Sequence, residues 1–325
     1  MKLSGFKASA ITVAAVASLV LATAAPAAAE QGRDHLDMRH GRDFGRHGHI
    51  SKTSTCTGTL DSPGVLAGTY RSNVVVDGVC FVNGGAATVL GNLVIAPGAA
   101  LNASFALNDL PGGTGTSSLA VKGDVVVQSG GILFLGCEPN FSECSDDTDQ
   151  NGGTLTGQNS VGGNIVEFQP LGSIVHATTI RGDVSQFGGG GGVTCDPPAG
   201  SVFEALGSPA FTDYEDNTIG GSLTVVGLQT CWMGSLRNTV HGSLIDVGNT
   251  MADPDAGEVL QNTVHGDLAC FADSPVVQFG DSGASPNVVG HHALGECGFN
   301  VMSPDPNFPN GDGTGGPQPI SVKAA

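Results

Sequence analysis

The chain has 325 residues, and 30 acidic against 12 basic side chains give a net charge of −18. A surface of that sign repels phosphates and anionic lipid, which excludes nucleic acid and acidic membranes as partners. Glycine, at 51 residues, far exceeds its ~7% average share while 40% of the chain is apolar; this excludes a disordered composition and points to many short strands joined by tight turns.

Residues 1–29 read as a secretory signal peptide. Lys2 and Lys7 precede an uncharged run from Ala8 to Ala22, and Ala27-Ala28-Ala29 supplies a small-residue cleavage site. That run is too short to span a bilayer, and no second apolar stretch long enough follows. The mature chain is therefore expected to be secreted, extracellular or at the cell surface, with no membrane span. Residues 30–52 form a His/Arg-rich arm expected to be disordered. His35, His40, His47 and His49 lie there among Arg33, Arg39, Arg42 and Arg46, and such imidazoles could hold zinc or copper weakly. From residue 53 onward only five basic side chains face 26 acids, a net of −21.

Residues 53–302 carry a repeat. Eight glycines align: Gly91, Gly123, Gly163, Gly182, Gly221, Gly242, Gly266 and Gly290. Two positions before each stands Val or Ile, from Val89 to Val288. Two positions after stands an aliphatic residue, from Leu93 to Leu268, except at His292. The residue just after the glycine is small and polar in seven of eight, as in Asn92, Asp124 and Ser222. Apolar residues at even offsets face one side of an extended chain. A unit this small cannot bury its own apolar face, but stacked units can. The fold expected is all-β: a single-stranded parallel β-helix (β-solenoid), wound right-handed. Successive glycines are 32, 40, 19, 39, 21, 24 and 24 residues apart, and the two longest steps suggest a skipped or degenerate coil. Two loop inserts are expected on its flank, at 137–158 and 188–216. Residues 303–325 form a Pro/Gly-rich tail expected to be disordered. Eight cysteines in an exported chain read as a disulfide framework whose connectivity the count leaves open, and the lack of a Cys-x-x-Cys pair speaks against a structural zinc site.

Gly68-Thr69-Tyr70 with Cys80, the Val-x-Gly-polar-aliphatic repeats, the run from Asn262 to Cys270, and Gly295-Glu296-Cys297 together resemble a group of exported actinobacterial-type repeat proteins. The likeness spans about residues 56–299 and implies a parallel β-helix and an extracellular address. It implies no activity. There is a looser similarity to bactofilins, which polymerise through such coils but lack the cysteines. Proximity and the resemblance together pair neighbouring cysteines: Cys56–Cys80, Cys137–Cys144, Cys195–Cys231 and Cys270–Cys297. Each would fasten an end or an insert, at about 2–4 kcal/mol apiece.

Several residues invite a chemical reading. Asn217, Asn238 and Asn262 recur four positions before their glycines, and Asn159 shares the column; they are expected to stack as a structural ladder at corners where Asn tolerates left-handed backbone. Lys122, Arg181, His241 and His265 share the position before the glycine and could form a basic column, which Gly162 and Gly220 interrupt. Arg181-Gly182-Asp183 spells a receptor-recognised tripeptide, but each residue is in repeat register. Asp147, Asp149 and Asn151 match the start of a calcium loop, with Gly152 at its turn and Gln158 where a bidentate Glu would stand. No cofactor is required by the reading, and calcium is the one candidate. No catalytic residue is assigned. Glycoside hydrolysis needs two carboxylates at a set separation, and no such pair can be named.

Two functions follow. The first is a secreted, non-catalytic structural or cell-surface solenoid, with surface proteins or further copies of itself as partners. The second is a calcium-assisted β-helix that binds or acts on cell-wall or extracellular polysaccharide. The second requires Trp232, His241, His265, Asp246 and Glu215 to converge on one groove.

Overall fold

A computed structural model describes residues 53–104, 115, 117–136, 158–277, 286–300, 318–319 and 321–322. The expected signal peptide and arm, the candidate calcium residues (Asp147, Asp149, Asn151) and the expected pair Cys137–Cys144 lie outside the described residues.

The chain winds as a parallel β-helix with three faces. Each full coil contributes one strand to sheet A, one to sheet B and one to sheet C, as in Leu93–Ile95, Ala100–Ser104 and Ser118–Val121. Counted over the described residues, the sheets hold ten, eight and ten strands, paired in parallel and in register. The columns foreseen from the alternation line the interior. Val74, Leu93, Val125, Ile165, Val184, Leu223, Leu244 and Leu268 are fully buried in sheet A, as are Val89, Val121, Val161, Ile180, Ile219, Val240, Val264 and Val289 in sheet C. Burying each such side chain stabilises by roughly 1.5–3 kcal/mol, and stacking extends that gain from coil to coil.

The glycine-polar pair has a definite cause at the corner between sheets C and A. The backbone N–H of each polar residue donates to the side chain of its counterpart one coil earlier. Asn92 donates to Asn73 Oδ1 at 2.9 Å, Asp124 to Asn92, Asn164 to Asp124, Asp183 to Asn164 and Ser222 to Asp183. The series continues through Ser243 and Asp267 to His292. A Cβ on Gly182 would run into the accepting oxygen, Asn164 Oδ1, and one on Gly123 into Asn92 Oδ1. The glycine makes room for the ladder.

Three expectations are corrected. The long glycine spacings do not mark skipped coils. Val125–Val127, Ile132–Gly136 and Gln158–Val161 make one coil, and Val184–Phe187, Phe211–Glu215 and Thr218–Ile219 another, each lengthened by an insert. A third insert, unforeseen, separates Ser104 from Ser118. In the last repeat the register is shifted by one. Val289, not Val288, pairs with Val264, so His291 occupies the glycine position and Ala293 the aliphatic one, and His292 ceases to be an exception. The second insert ends before Phe211, which opens a strand, and it is not a loop standing off the flank. It carries a short helix, Val202–Leu206, capped by Ser201 and ended by Gly207 at φ 66°. Phe203 of that helix is buried against Phe134 (ring centroids 5.6 Å apart) and Phe211 (6.0 Å), so the insert covers the middle of the outer face of sheet B.

Disulfides Cys56–Cys80 and Cys270–Cys297 fasten the first and last coils, and Cys195–Cys231 ties the insert to sheet B. In the tail expected to lack structure, Ser321–Val322 pairs with Val288–Val289 at the end of sheet C. No helix among the described residues is long and apolar enough to cross a membrane.

Candidate functional site

The Asn column is a ladder, as its spacing suggested. Asn238 Oδ1 accepts from the backbone N–H and the Nδ2 of Asn217, both at 3.0 Å, and Asn262 and Asn287 repeat the arrangement. The Nδ2 of Asn217, Asn238, Asn262 and Asn287 each also donates to a carbonyl, Tyr214 O in the case of Asn238, whereas Asn159 does not extend the ladder: Thr178 stands opposite it in the next coil and its Nδ2 has no hydrogen-bond partner among the described residues. The left-handed backbone belongs to the residue before the Asn, at Asp216, Arg237 and Gln261, and to Ala177 before Thr178 in the same column, not to the Asn itself.

Strand alternation on sheet B points Leu133, Val175, Tyr214 and Met233 into the core and turns Phe134, Ile174, His176, Asp213, Glu215 and Trp232 outward. Register places His176 opposite Glu215, with Asp213 diagonal to it. All three side chains are buried. His176 Nε2 lies 2.8 Å from Asp213 Oδ2 and 3.5 Å from Glu215 Oε2. The left-handed turn at Arg237 brings its guanidinium onto Glu215 Oε1, and Arg237 Nε reaches Asp216 Oδ1 at 3.0 Å. Asp213 Oδ1 has no hydrogen-bond partner and faces Gly234, over which the Trp232 ring lies; a Cβ there would come within 2.7 Å of that oxygen and strike the ring.

A second polar group lies inside the solenoid. Glu167 and Gln186 occupy neighbouring coils of sheet A at inward positions. Ser173 Oγ donates to Glu167 Oε1 at 2.8 Å, Tyr214 Oη donates to Gln186 at 2.8 Å, and Gln186 Nε2 donates to Thr212 at 3.1 Å. Burial pushes the Glu167 carboxyl up to about 7, against the lowering effect of the Ser173 and Tyr214 hydroxyls. Burial, with the Glu167 carboxyl beside it, also raises the Tyr214 hydroxyl. Farther along, Asp246 is raised well above the carboxylate range by burial and by Asp273, and neither of its oxygens has a hydrogen-bond partner. Asp273 itself is pushed up to about 7, by burial first.

The convergence required for a polysaccharide groove does not occur. Trp232 and Glu215 are on the outside of sheet B, and Asp246 is inside the core. His241 and His265 stand at the corner between sheets C and A, their rings 4.7 Å apart. The basic column reduces to that pair, because chain at Gly162 and Gly220 passes where a side chain would strike the carbonyls of Lys122 and Arg181. Asp183 of the Arg-Gly-Asp run is a rung of the corner ladder. A shallow pocket of about 220 Å³ on sheet B is lined by Leu60, Phe81, Phe134 and Leu206 among others, with no titratable group.

Sequence reasoning missed His176 and Asp213. The visible signal was Asp213-x-Glu215, two acids at alternate positions of a strand, where Phe134 and Ile174 stand in the coils before. No protein-family model, curated protein or solved structure matches the chain.

Proposed function

We propose that this is an exported, non-catalytic structural solenoid of the cell surface, which associates with a second copy of itself through the outer face of sheet A. The observation that carries the reading is the chemistry of that face. Its ten strands contain two charged residues, Glu167 and Asp246, and both point inward. Outward stand Val75, Val94, Val126, Val166, Ile245 and Leu294 in one column, interspersed with the uncharged Thr55, Ser185, Thr224 and Ala269, and Phe168, Phe187, Val226, Val247 and Phe271 in the next. Phe168 and Phe271 are about half exposed, at 49% and 45%. A chain this acidic has few surfaces that another copy could approach without repulsion, and an uncharged face matched to itself is one.

Ten strands at ~4.8 Å give a face about 45 Å long and ~10 Å wide, so two copies would bury roughly 900–1,000 Å². That is the lower edge of specific interfaces, and the association is therefore concentration-dependent. The ladders support the structural role, since polar columns that could have carried chemistry are spent on joining coils. The three disulfides fit an oxidising, extracellular setting.

Sedimentation over a concentration series tests the reading. The wild type should move toward dimer mass as concentration rises, and Val166→Lys with Ile245→Lys should remain monomeric. A wild type that stays monomeric, or a double variant that associates equally, would overturn it. Glycan-array binding or reducing-sugar release with calcium would favour a polysaccharide ligand instead.

A further inference from the structure

We propose that His176, Asp213 and Glu215 form a binding site for one zinc-class divalent cation on the outer side of sheet B. The three donors come from two adjacent strands, Gly172–His176 and Phe211–Glu215, whose register is held by parallel pairing from Ser173 to His176. Such a site is preorganised by backbone instead of by loops. The ligating atoms all lie within 4.8 Å of one another. Donors at about 2.1 Å around a tetrahedral ion stand ~3.4 Å apart. The His176–Glu215 separation of 3.5 Å already meets that spacing, and the His176–Asp213 separation of 2.8 Å meets it after a small side-chain rotation.

A further observation points to a cation. Asp213 Oδ1 is buried without a hydrogen-bond partner, so this carboxylate has coordinating capacity left over. Arg237 pairs with Glu215 and Asp216, while Asp213 is held against His176. Arg237 does not block the site. It holds Glu215 Oε1 and leaves Oε2 turned to His176, as an orienting partner behind a ligand does. An imidazole with two carboxylates suits zinc, whereas calcium takes six to eight oxygens.

The test is zinc titration of the full chain by calorimetry, after chelation, in a background where His35, His40, His47 and His49 are alanine. One equivalent should bind, and Asp213→Asn and His176→Ala should each weaken it at least tenfold, while His241→Ala leaves it unchanged. No zinc heat, or a heat that both site variants retain and His241→Ala abolishes, would overturn the proposal. Should the site variants fail to fold, cobalt(II) added to the parent chain decides. Intense visible d–d bands of a four-coordinate nitrogen-oxygen site support the assignment; only the weak bands of the hydrated ion overturn it.

Discussion

Replacing Glu167 with Gln should stabilise the protein at neutral and alkaline pH and do little in acid. Glu167 sits in the closed interior, and burial lifts its carboxyl from an ordinary 4.5 to about 7. Below the unfolded value the group is neutral in both states, and its full contribution to stability is present. As pH rises from about 4.5 to about 7 the unfolded chain loses the proton while the folded chain keeps it, so stability falls. Above the folded value the loss saturates at roughly 3 kcal/mol, because each pH unit separating the folded and unfolded values carries about 1.36 kcal/mol. Glutamine has no proton to lose, and its Oε1 can still accept the hydrogen bond from Ser173. The advantage of the variant should therefore be near zero at about pH 4 and approach ~3 kcal/mol at about pH 8, some 6–12 °C in melting temperature for a domain of this size. Paired thermal melts followed by circular dichroism across that range measure it. Asp246 and Asp273 titrate in the same direction but are common to both proteins, so they cancel in the difference. A difference that stays flat with pH, or one that favours the wild type as pH rises, would refute the reasoning.

Two ladder variants are expected to be destabilised for different reasons. Asn238→Ala removes the acceptor for the Asn217 N–H and the donor to Tyr214 O, both buried, and should cost about 3 kcal/mol, read from denaturant midpoints. Gly182→Ala drives a methyl into Asn164 Oδ1 and the Gly163 carbonyl; displaced packing and a broken rung should cost about 2–4 kcal/mol. If Gly182→Ala proved neutral, the corner glycine would be a matter of turn preference and not of space.

The sequence by itself determined the coil. Valine two before a glycine and an aliphatic two after it are local facts, because alternation at period two sets which side chains face one way. The small polar residue beside the glycine was visible as well, although its role as a rung appears only when the coil before it is in place. Coil count, inserts and register needed the tertiary structure. Spacings of 39 and 40 residues describe one coil with an insert as well as they describe two coils, and only strand stacking distinguishes them. His292 looked like a broken repeat until Val289 was seen against Val264. His176 and Asp213 are 37 residues apart, with an insert between them, and meet because pairing closes that insert onto a single coil. The outward side of sheet B was invisible for a further reason. In a solenoid the outside is ordinarily solvent, so nothing in the period announces that Phe203 of the insert helix returns to cover it. Local periodicity encodes the repeating core, whereas the site depends on contacts across inserts, whose path no periodicity records.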